Sequence, residues 1–464
     1  MKKIAIIGGG ISGLSAAYQL DQRKRAGTAV DYELFEAAPR LGGVLASERV
    51  DGCLVEAGPD SFLTEKPWAS ELCRELGLQD QIIGSNDSRR KTYILVHNRL
   101  IEMPDGLMFM VPTRIAPMLF TPLFSWSTKV RMAREFLSRP HTVAGDESVA
   151  SLVARHFGEE TVQRLADPLL SGVYGGSAAQ LSARATLARF VDMEKTYGSL
   201  IRGMLASRRR MAKLAGNKPK PPLFSALRNG MQQLLDALVG RLNSQSLNTD
   251  TKVSGVSRIE GGWEIVRPGG KSRFDAVVLA TPAHVSGQFL TNTDPLLAEE
   301  LNGIVYSSSV TVTMIFEGAE VLGRDHGFGF LVPRSEERRM LACTFVHNKF
   351  PHRVPENESR GIVRCFLGAG GDEKALDLSD TEILAILRRE LCEITGISAE
   401  PRAARIYRWR RAMAQPSPGH LDRVARLEER LKRLPGLALA GNYLRGIGVP
   451  DCINSGRKAA ESVA

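Results

Sequence analysis

The chain opens on an unbroken apolar run, Ile4 to Ile7, that stops at Gly8-Gly9-Gly10 and gives way to apolar residues three and four apart, Leu14, Ala17, Tyr18 and Leu20. The run predicts a buried strand and the spacing predicts a helix over Ser12 to Arg25. A second strand-like stretch, Tyr32 to Glu36, completes a βαβ unit at the first residues. A helix is expected over Pro67 to Leu76, and helical spacing dominates from about Thr128 to Met211, interrupted at Asp167-Pro168 and Gly175-Gly176. Strands are expected at Lys252 to Ile259, Trp263 to Val266, Ala276 to Ala280, Val310 to Phe316, Gly329 to Val332 and Ile362 to Leu367. Strand-rich and helix-rich stretches alternate, so the domains are expected to interleave along the chain.

The glycines between the first strand and helix carry the first chemistry. Gly8-x-Gly10-x-x-Gly13 sits where a dinucleotide fingerprint belongs, and Glu36 closes the next strand. Gly8 permits a tight turn, Gly10 lets backbone approach a pyrophosphate, Gly13 lets helix and strand pack closely, and the helix N-terminus receives the phosphate charge. Glu36 would accept hydrogen bonds from ribose hydroxyls. Arg40-Leu41-Gly42-Gly43 follows at once. A glycine pair behind an arginine here resembles the second phosphate-contacting turn of the glutathione-reductase-like flavoproteins, which favours FAD over NAD. No second GxGxxG follows a strand, and Gly368-x-Gly370 lacks its third glycine. That points to an enzyme taking hydride directly from an organic substrate rather than from a nicotinamide.

Composition adds bounds. With 464 residues, 43% of them hydrophobic, the chain can bury more than one core. A net charge of +10 implies a surface that attracts anions: nucleic acid, anionic lipid or a small polycarboxylate. No basic face with interleaved aromatics marks a nucleic-acid reader, so nucleic acid is not expected as a partner. The basic stretch Arg202 to Lys220, with Lys218 near its end, is read as a solvated face. Six scattered cysteines without a CxxC pair read as reduced thiols of a cytoplasmic protein, and no metal site is expected. The apolar segment Leu107 to Phe124 contains Pro112, Pro117 and Pro122, which argue against a straight spanning helix. It is read as the lining of an interface, with contact at a membrane surface left open.

Three further motifs carry a resemblance across nearly the whole chain: Gly58-Pro59-Asp60-Ser61-Phe62 after Glu56, Gly327-Phe328-Gly329-Phe330-Leu331-Val332-Pro333, and Gly446-Ile447-Gly448-Val449-Pro450-Asp451-Cys452-Ile453-Asn454-Ser455-Gly456. With these the sequence resembles the FAD-dependent protoporphyrinogen/coproporphyrinogen III oxidase family, and Tyr93 to Pro104 with Pro112 to Pro117 resembles its soluble bacterial branch. The resemblance implies an α/β fold with an α+β insertion. Its parts are a Rossmann-like FAD-binding domain (1–65, 225–300 and 405–464), an antiparallel-sheet substrate domain (66–95 and 301–404) and a helical domain (96–224) that in relatives associates with membranes. Carried over residue by residue, it places Gly8, Gly9, Gly10, Ile11, Ser12, Gly13, Leu14, Glu36, Ala37, Arg40, Gly43, Val44, Ala57, Gly58, Pro59, Asp60, Val253, Trp409, Ile447, Gly448 and Val449 around FAD. Phe328, Leu331 and Thr344 would line the porphyrinogen slot, and Arg90 and Lys91 are candidate propionate anchors. One stretch departs from the pattern: where relatives often carry Met-Pro-Gln-Tyr before Gly-His, this chain has Met413-Ala414-Gln415-Pro416-Ser417-Pro418-Gly419-His420, which puts any role of that tyrosine in doubt.

The implied reaction removes six electrons from a porphyrinogen in three two-electron rounds, with molecular oxygen as the final acceptor. It needs no catalytic triad, and no side-chain acid or base is assigned; His97, His141, His156, His284, His326, His347, His352 and His420 form no constellation. Read without the resemblance, Phe328 and Leu331 are ordinary sheet residues, and Trp409 is an aromatic packed among Arg408, Arg410 and Arg411. An amine oxidase or carotenoid desaturase shares the fingerprint and the C-terminal helix, and an FAD-bound scaffold without chemistry is a further reading. The sequence leaves open which porphyrinogen is taken and whether the chain is a monomer or a homodimer.

Overall fold

The computed structural model describes residues 1–141, 145–215, 221–318, 327–356, 358–369 and 372–464. Lys218, Lys220, His326 and Gly370 lie outside them. The βαβ unit forms as expected: strand Lys2–Ile7, helix Ile11–Arg25 and strand Val30–Phe35. Lys2–Ile7 pairs in parallel with Val30–Phe35 on one side and with Ala276–Leu279 on the other. Leu247–Asn248 and Leu437–Leu439 extend this to a five-stranded parallel sheet. Ile4, Ala5, Ile6, Val277 and Val278 are fully buried, as strands covered on both faces must be. The opening helix packs against the closing helix, Val449–Val463, so closely that a Cβ on Gly456 would lie 2.0 Å from the Ser12 carbonyl oxygen. That approach brings the N-termini of both helices to one end of the sheet.

A seven-stranded sheet makes the second layer, in the order Ala403–Ala414, Tyr306–Glu317, Arg360–Leu367, Ala342–Phe345, Gly329–Leu331, Thr92–Val96, Arg99–Glu102. All of its pairs are antiparallel except Gly329–Leu331 with Thr92–Val96. Period-two alternation gives it two faces. Val310, Val312, Met314, Val363 and Cys365 pack under helix Asp380–Thr395, whose Ile383, Leu387 and Leu391 join the same core. Thr311, Thr313, Arg364 and Thr344 alternate with them and face the other way. The sheet runs past the boundaries expected at 95 and 404, because Arg99–Glu102 and the whole of Ala403–Ala414 pair within it. Conversely, Ala69, Leu72 and Cys73 of helix Pro67–Glu75 share the core of the parallel sheet.

The middle of the chain is helical, from Trp126–Glu135 to Leu200–Ala215. Its buried His156 is held between two carboxylates, with Nδ1 at 2.8 Å from Glu135 and Nε2 at 3.1 Å from Glu194. The apolar segment 107–124 folds into two short strands, Leu107–Met108 and Val111–Pro112, and a helix, Ile115–Phe120. Among the described residues no helix is long and apolar enough to cross a membrane.

Candidate functional site

The first glycine turn is built as its spacing demands. Gly8 has φ +106°, and a Cβ there would meet the Ala280 carbonyl oxygen at 2.7 Å. A Cβ on Gly13 would lie 1.9 Å from the Gly8 oxygen. Gly10 differs: it is the N-cap of the opening helix, and among the described residues a Cβ there would meet nothing within 4 Å. The protein leaves that space open where free backbone amides and the positive end of the helix dipole converge, which suits a phosphate. The second turn closes on the first, with Gly42 N donating to Gly9 O at 2.8 Å and a Gly10–Gly42 bridge. Gly43, at φ +58°, has only the Gly10 Cα near its absent Cβ, at 3.5 Å. Two glycine turns thus frame one open cradle, and the residues present fit a dinucleotide.

Glu36 sits at the rim. Its two carboxylate oxygens accept the Gly9 and Ala38 amides at 2.7 and 2.8 Å, so two backbone donors fix its orientation and leave its remaining lone pairs for hydroxyls. Arg40 serves the turn itself: its guanidinium donates to the carbonyls of Leu41, Gly43 and Leu45. Val253 is buried beside the strand that ends in Phe35. On the far side, Gly448 caps the closing helix and donates to Asp451 Oδ2 at 3.1 Å. Lys66 Nζ reaches both oxygens of the same carboxylate, at 2.7 and 2.6 Å.

The turn Ala57 to Asp60 joins the cradle to the antiparallel sheet. A Cβ on Gly58 would lie 2.0 Å from the Val44 oxygen, so this turn rests directly on the second glycine turn. Trp409 Nε1 donates to Ala57 O at 2.9 Å, and Arg364 donates to Gly58 O. The tryptophan expected near the flavin therefore anchors the turn rather than lying among surface arginines. Behind the turn lies a cluster of charges that sequence reasoning missed. Arg353 meets Glu56 at 3.3 Å, both side chains 1% exposed, and Lys349 meets Asp60 at 3.1 Å. Burial pushes the Asp60 carboxyl up, but the Lys349 ammonium and the Arg353 and Arg364 guanidiniums outweigh it and hold Asp60 well below the usual carboxylate range. Glu56 goes the other way, raised by burial against the pull of Arg353 and the Ser47 and Met231 donors.

Beside this turn the face of the seven-stranded sheet turned away from helix Asp380–Thr395 meets the helical region. Gly329, Thr344 and Arg364 lie in register across three strands, and Leu331 is half-buried against helix Asp167–Tyr174, with a Cβ on Gly172 falling 3.5 Å from its Cδ2. Phe328 is buried, its amide bonded to Lys91 O. Tyr174 ends that helix with its phenol pushed up to about 12, by burial first and then by the Asp451 charge. Its carbonyl is held by Gln415 at 2.6 Å. The departing segment 413–420 thus pins the helical region to the sheet. Arg90 and Lys91 are exposed, Arg90 3.7 Å from Asp87 and Lys91 3.7 Å from Glu102. Leu331 shares a sheet face with Gly329, which pairs with Thr344, and Phe328 sits just before that strand; Arg90 and Lys91 come near it through the backbone, with their side chains in surface ion pairs.

Two glycine turns, an acid at the rim and two converging helix ends define an FAD-dependent oxidoreductase. Comparison with known proteins agrees. Residues 11–464 match the model of the flavin containing amine oxidoreductase family. The chain is 33% identical over 461 residues to the coproporphyrinogen III oxidase of Bacillus subtilis, covering 99% of this chain and 97% of that protein. It is 30% identical to the coproporphyrinogen III oxidase of Staphylococcus aureus, over 100% of this chain and 99% of that one. A crystal structure of a proposed protoporphyrinogen oxidase from Exiguobacterium sp. 255-15 superposes with a TM-score of 0.88 at 31% identity, over 100% of this chain and 98% of that one. The chain belongs to the flavin containing amine oxidoreductases and, within them, to the coproporphyrinogen/protoporphyrinogen oxidase family.

Proposed function

We propose that this protein oxidises coproporphyrinogen III to coproporphyrin III in haem synthesis. The observation that carries the reading is the sheet face bearing Leu331, Thr344 and Arg364, which lies beside helix Asp167–Tyr174 and abuts the cradle at Gly58. The likeness to coproporphyrinogen III oxidases at 30–35% identity over nearly the whole chain supports the four-carboxylate substrate. Bound FAD supplies a two-electron acceptor, so six electrons leave the porphyrinogen in three rounds, and we assign the final acceptor to molecular oxygen. Glu36, Gly8 to Leu14, Gly43, Val44, Gly58, Val253 and Ile447 to Val449 hold the cofactor. Phe328, Leu331 and Thr344 orient a flat apolar macrocycle edge-on to it and exclude water from the reacting carbon. The test gives the purified holoenzyme coproporphyrinogen III and protoporphyrinogen IX separately in air and follows porphyrin fluorescence against a heat-inactivated control. Faster turnover of coproporphyrinogen is expected; faster turnover of protoporphyrinogen reverses the substrate assignment, and no gain with either overturns the reading.

Peripheral membrane contact is a second reading with its own observation. Ile115, Phe120 and Trp126 are 80%, 86% and 67% exposed, and Lys129 stacks 4.6 Å over the Trp126 ring while donating to Leu119 O. Exposed apolar side chains beside a lysine suit an anionic lipid surface. Co-sedimentation with phosphatidylglycerol vesicles that is lost in F120S/W126S is the expected outcome; equal sedimentation of both proteins excludes this face.

A further inference from the structure

The charge cluster behind the Ala57 to Asp60 turn is not neutral. Lys349, Arg353 and Arg364 face Asp60 and Glu56, all five from segments that meet only in the folded chain. With both acids ionised, one positive charge remains uncompensated, and protonation of Glu56 would leave two. The neighbouring charges do not offset it: Glu48 is paired with Arg405, and Asp51 with Arg360 and Arg402. Arg364 is 5% exposed and Arg353 1%, and the Nε of each has no hydrogen-bond partner among the described residues. Holding a lone cation out of water is costly unless something nearby is stabilised by it. Packing against the aromatic rings of Phe366, Phe350 and Phe224 recovers part of that cost. The rest has an obvious outlet. Arg364 is hydrogen-bonded to Gly58, Gly58 rests on Val44, and Val44 follows the glycine whose Cα side faces Gly10 across the open cradle.

We propose that Arg364, backed by Lys349 and Arg353, is a positioning residue that sets the electron affinity of the bound flavin. Its buried charge stabilises the negative charge that the ring system acquires on two-electron reduction. The low local dielectric makes that field strong, and solvent does not screen it. Arg364 also stands opposite Thr344 in the sheet, so the same guanidinium borders the slot from which electrons arrive. The inference rests on the flavin cradle and is independent of which substrate the slot takes.

The measurement is the two-electron midpoint potential of the holoenzyme, by dye-equilibrated reductive titration, in R364M, R364K and D60N. R364M leaves two acids and two bases and is expected to make the flavin at least tenfold harder to reduce, a fall of about 30 mV or more. R364K keeps the charge and is expected to stay within about threefold of the parent in that equilibrium. D60N removes a negative charge and is expected to shift the potential upward. A merely structural role would move R364M and D60N in the same direction through a loosened cofactor, and that result overturns the proposal, as does an unchanged potential in R364M. Should R364M fail to fold, the sign of the D60N shift decides: a rise supports the inference and a fall or no change overturns it. Porphyrinogen turnover is not part of the readout, so the failure of one reading is distinguishable from the failure of the other.

Discussion

Gly10→Ala separates a glycine kept for the cofactor from glycines kept for the fold. The residue has φ −71° and ψ 177°, a conformation alanine adopts freely, and its Cβ would meet no atom within 4 Å. In the apoprotein, alanine should gain roughly 0.4–1 kcal/mol from the stiffer unfolded chain and lose roughly 0.5–1 kcal/mol as a poorer N-cap, so stability should stay within about 1 kcal/mol of the parent. The methyl group nevertheless occupies the space in which the pyrophosphate approaches backbone amides. We expect FAD affinity to fall at least about 100-fold, close to 3 kcal/mol. Gly456→Ala supplies the contrast. Helix propensity alone favours alanine there by about 1 kcal/mol. Its Cβ would lie 2.0 Å from Ser12 O and 3.1 Å from Ala16 N, both backbone atoms, so the helices must part and overpacking of about 1–3 kcal/mol should win. Urea unfolding of each apoprotein and fluorescence titration with FAD measure the two effects separately. A Gly10→Ala protein that binds FAD like the parent, or that loses apo stability as Gly456→Ala does, refutes the reasoning.

Arg353→Met leaves Glu56 buried and unpaired and should cost about 3–5 kcal/mol in urea unfolding, whereas E56Q/R353M should be distinctly less damaging. His352 is pulled down to about 4, by burial first and then by Arg353 and Arg228. The unfolded chain therefore takes up a proton near the ordinary histidine value of about 6.5 that the folded chain refuses until about 4, so this contribution to stability is full above that window and lost as pH falls through it. After allowance for partial exposure the loss is about 1–2 kcal/mol, and H352Q should flatten the stability profile between those pH values. Lys66→Met leaves the Asp451 carboxylate, 9% exposed, with the Gly448 amide as its remaining strong donor. The pair is partly solvated, so a loss of about 1 kcal/mol in thermal or urea unfolding of the holoenzyme is expected, and an unchanged melting curve would show that the ion pair contributes nothing.

The legible part of the molecule was the part written in local spacing. Gly8, Gly10, Gly13 and Glu36 fall within one βαβ unit, whose apolar run and helical period announce where turn and helix begin, so fold and cradle could be placed together. Gly58 and Trp409 became candidates through the family resemblance alone, and their contacts show why: Trp409 donates to a carbonyl 352 residues away. Arg364 and Gly58 are 306 positions apart, Lys349 and Asp60 289, Lys66 and Asp451 385. No periodicity reports such pairs, because period describes one element and these join different ones. The strand Ala403–Ala414 was hidden for a related reason. Its alternation is carried by charged residues: Arg408 and Arg410 bond to the carbonyls of Leu378 and Leu376 on one face, while Arg405 and Tyr407 meet Glu48 on the other. These arginines are straps between layers. The same observation changes what the net charge means. A positive excess by itself implies a surface that draws anions, yet Lys349, Arg353 and Arg364 are all buried behind the Gly58 turn. Part of the basic character of this chain faces inward, where it acts on the cradle at short range and in low dielectric, and contributes little to steering ligands from solution.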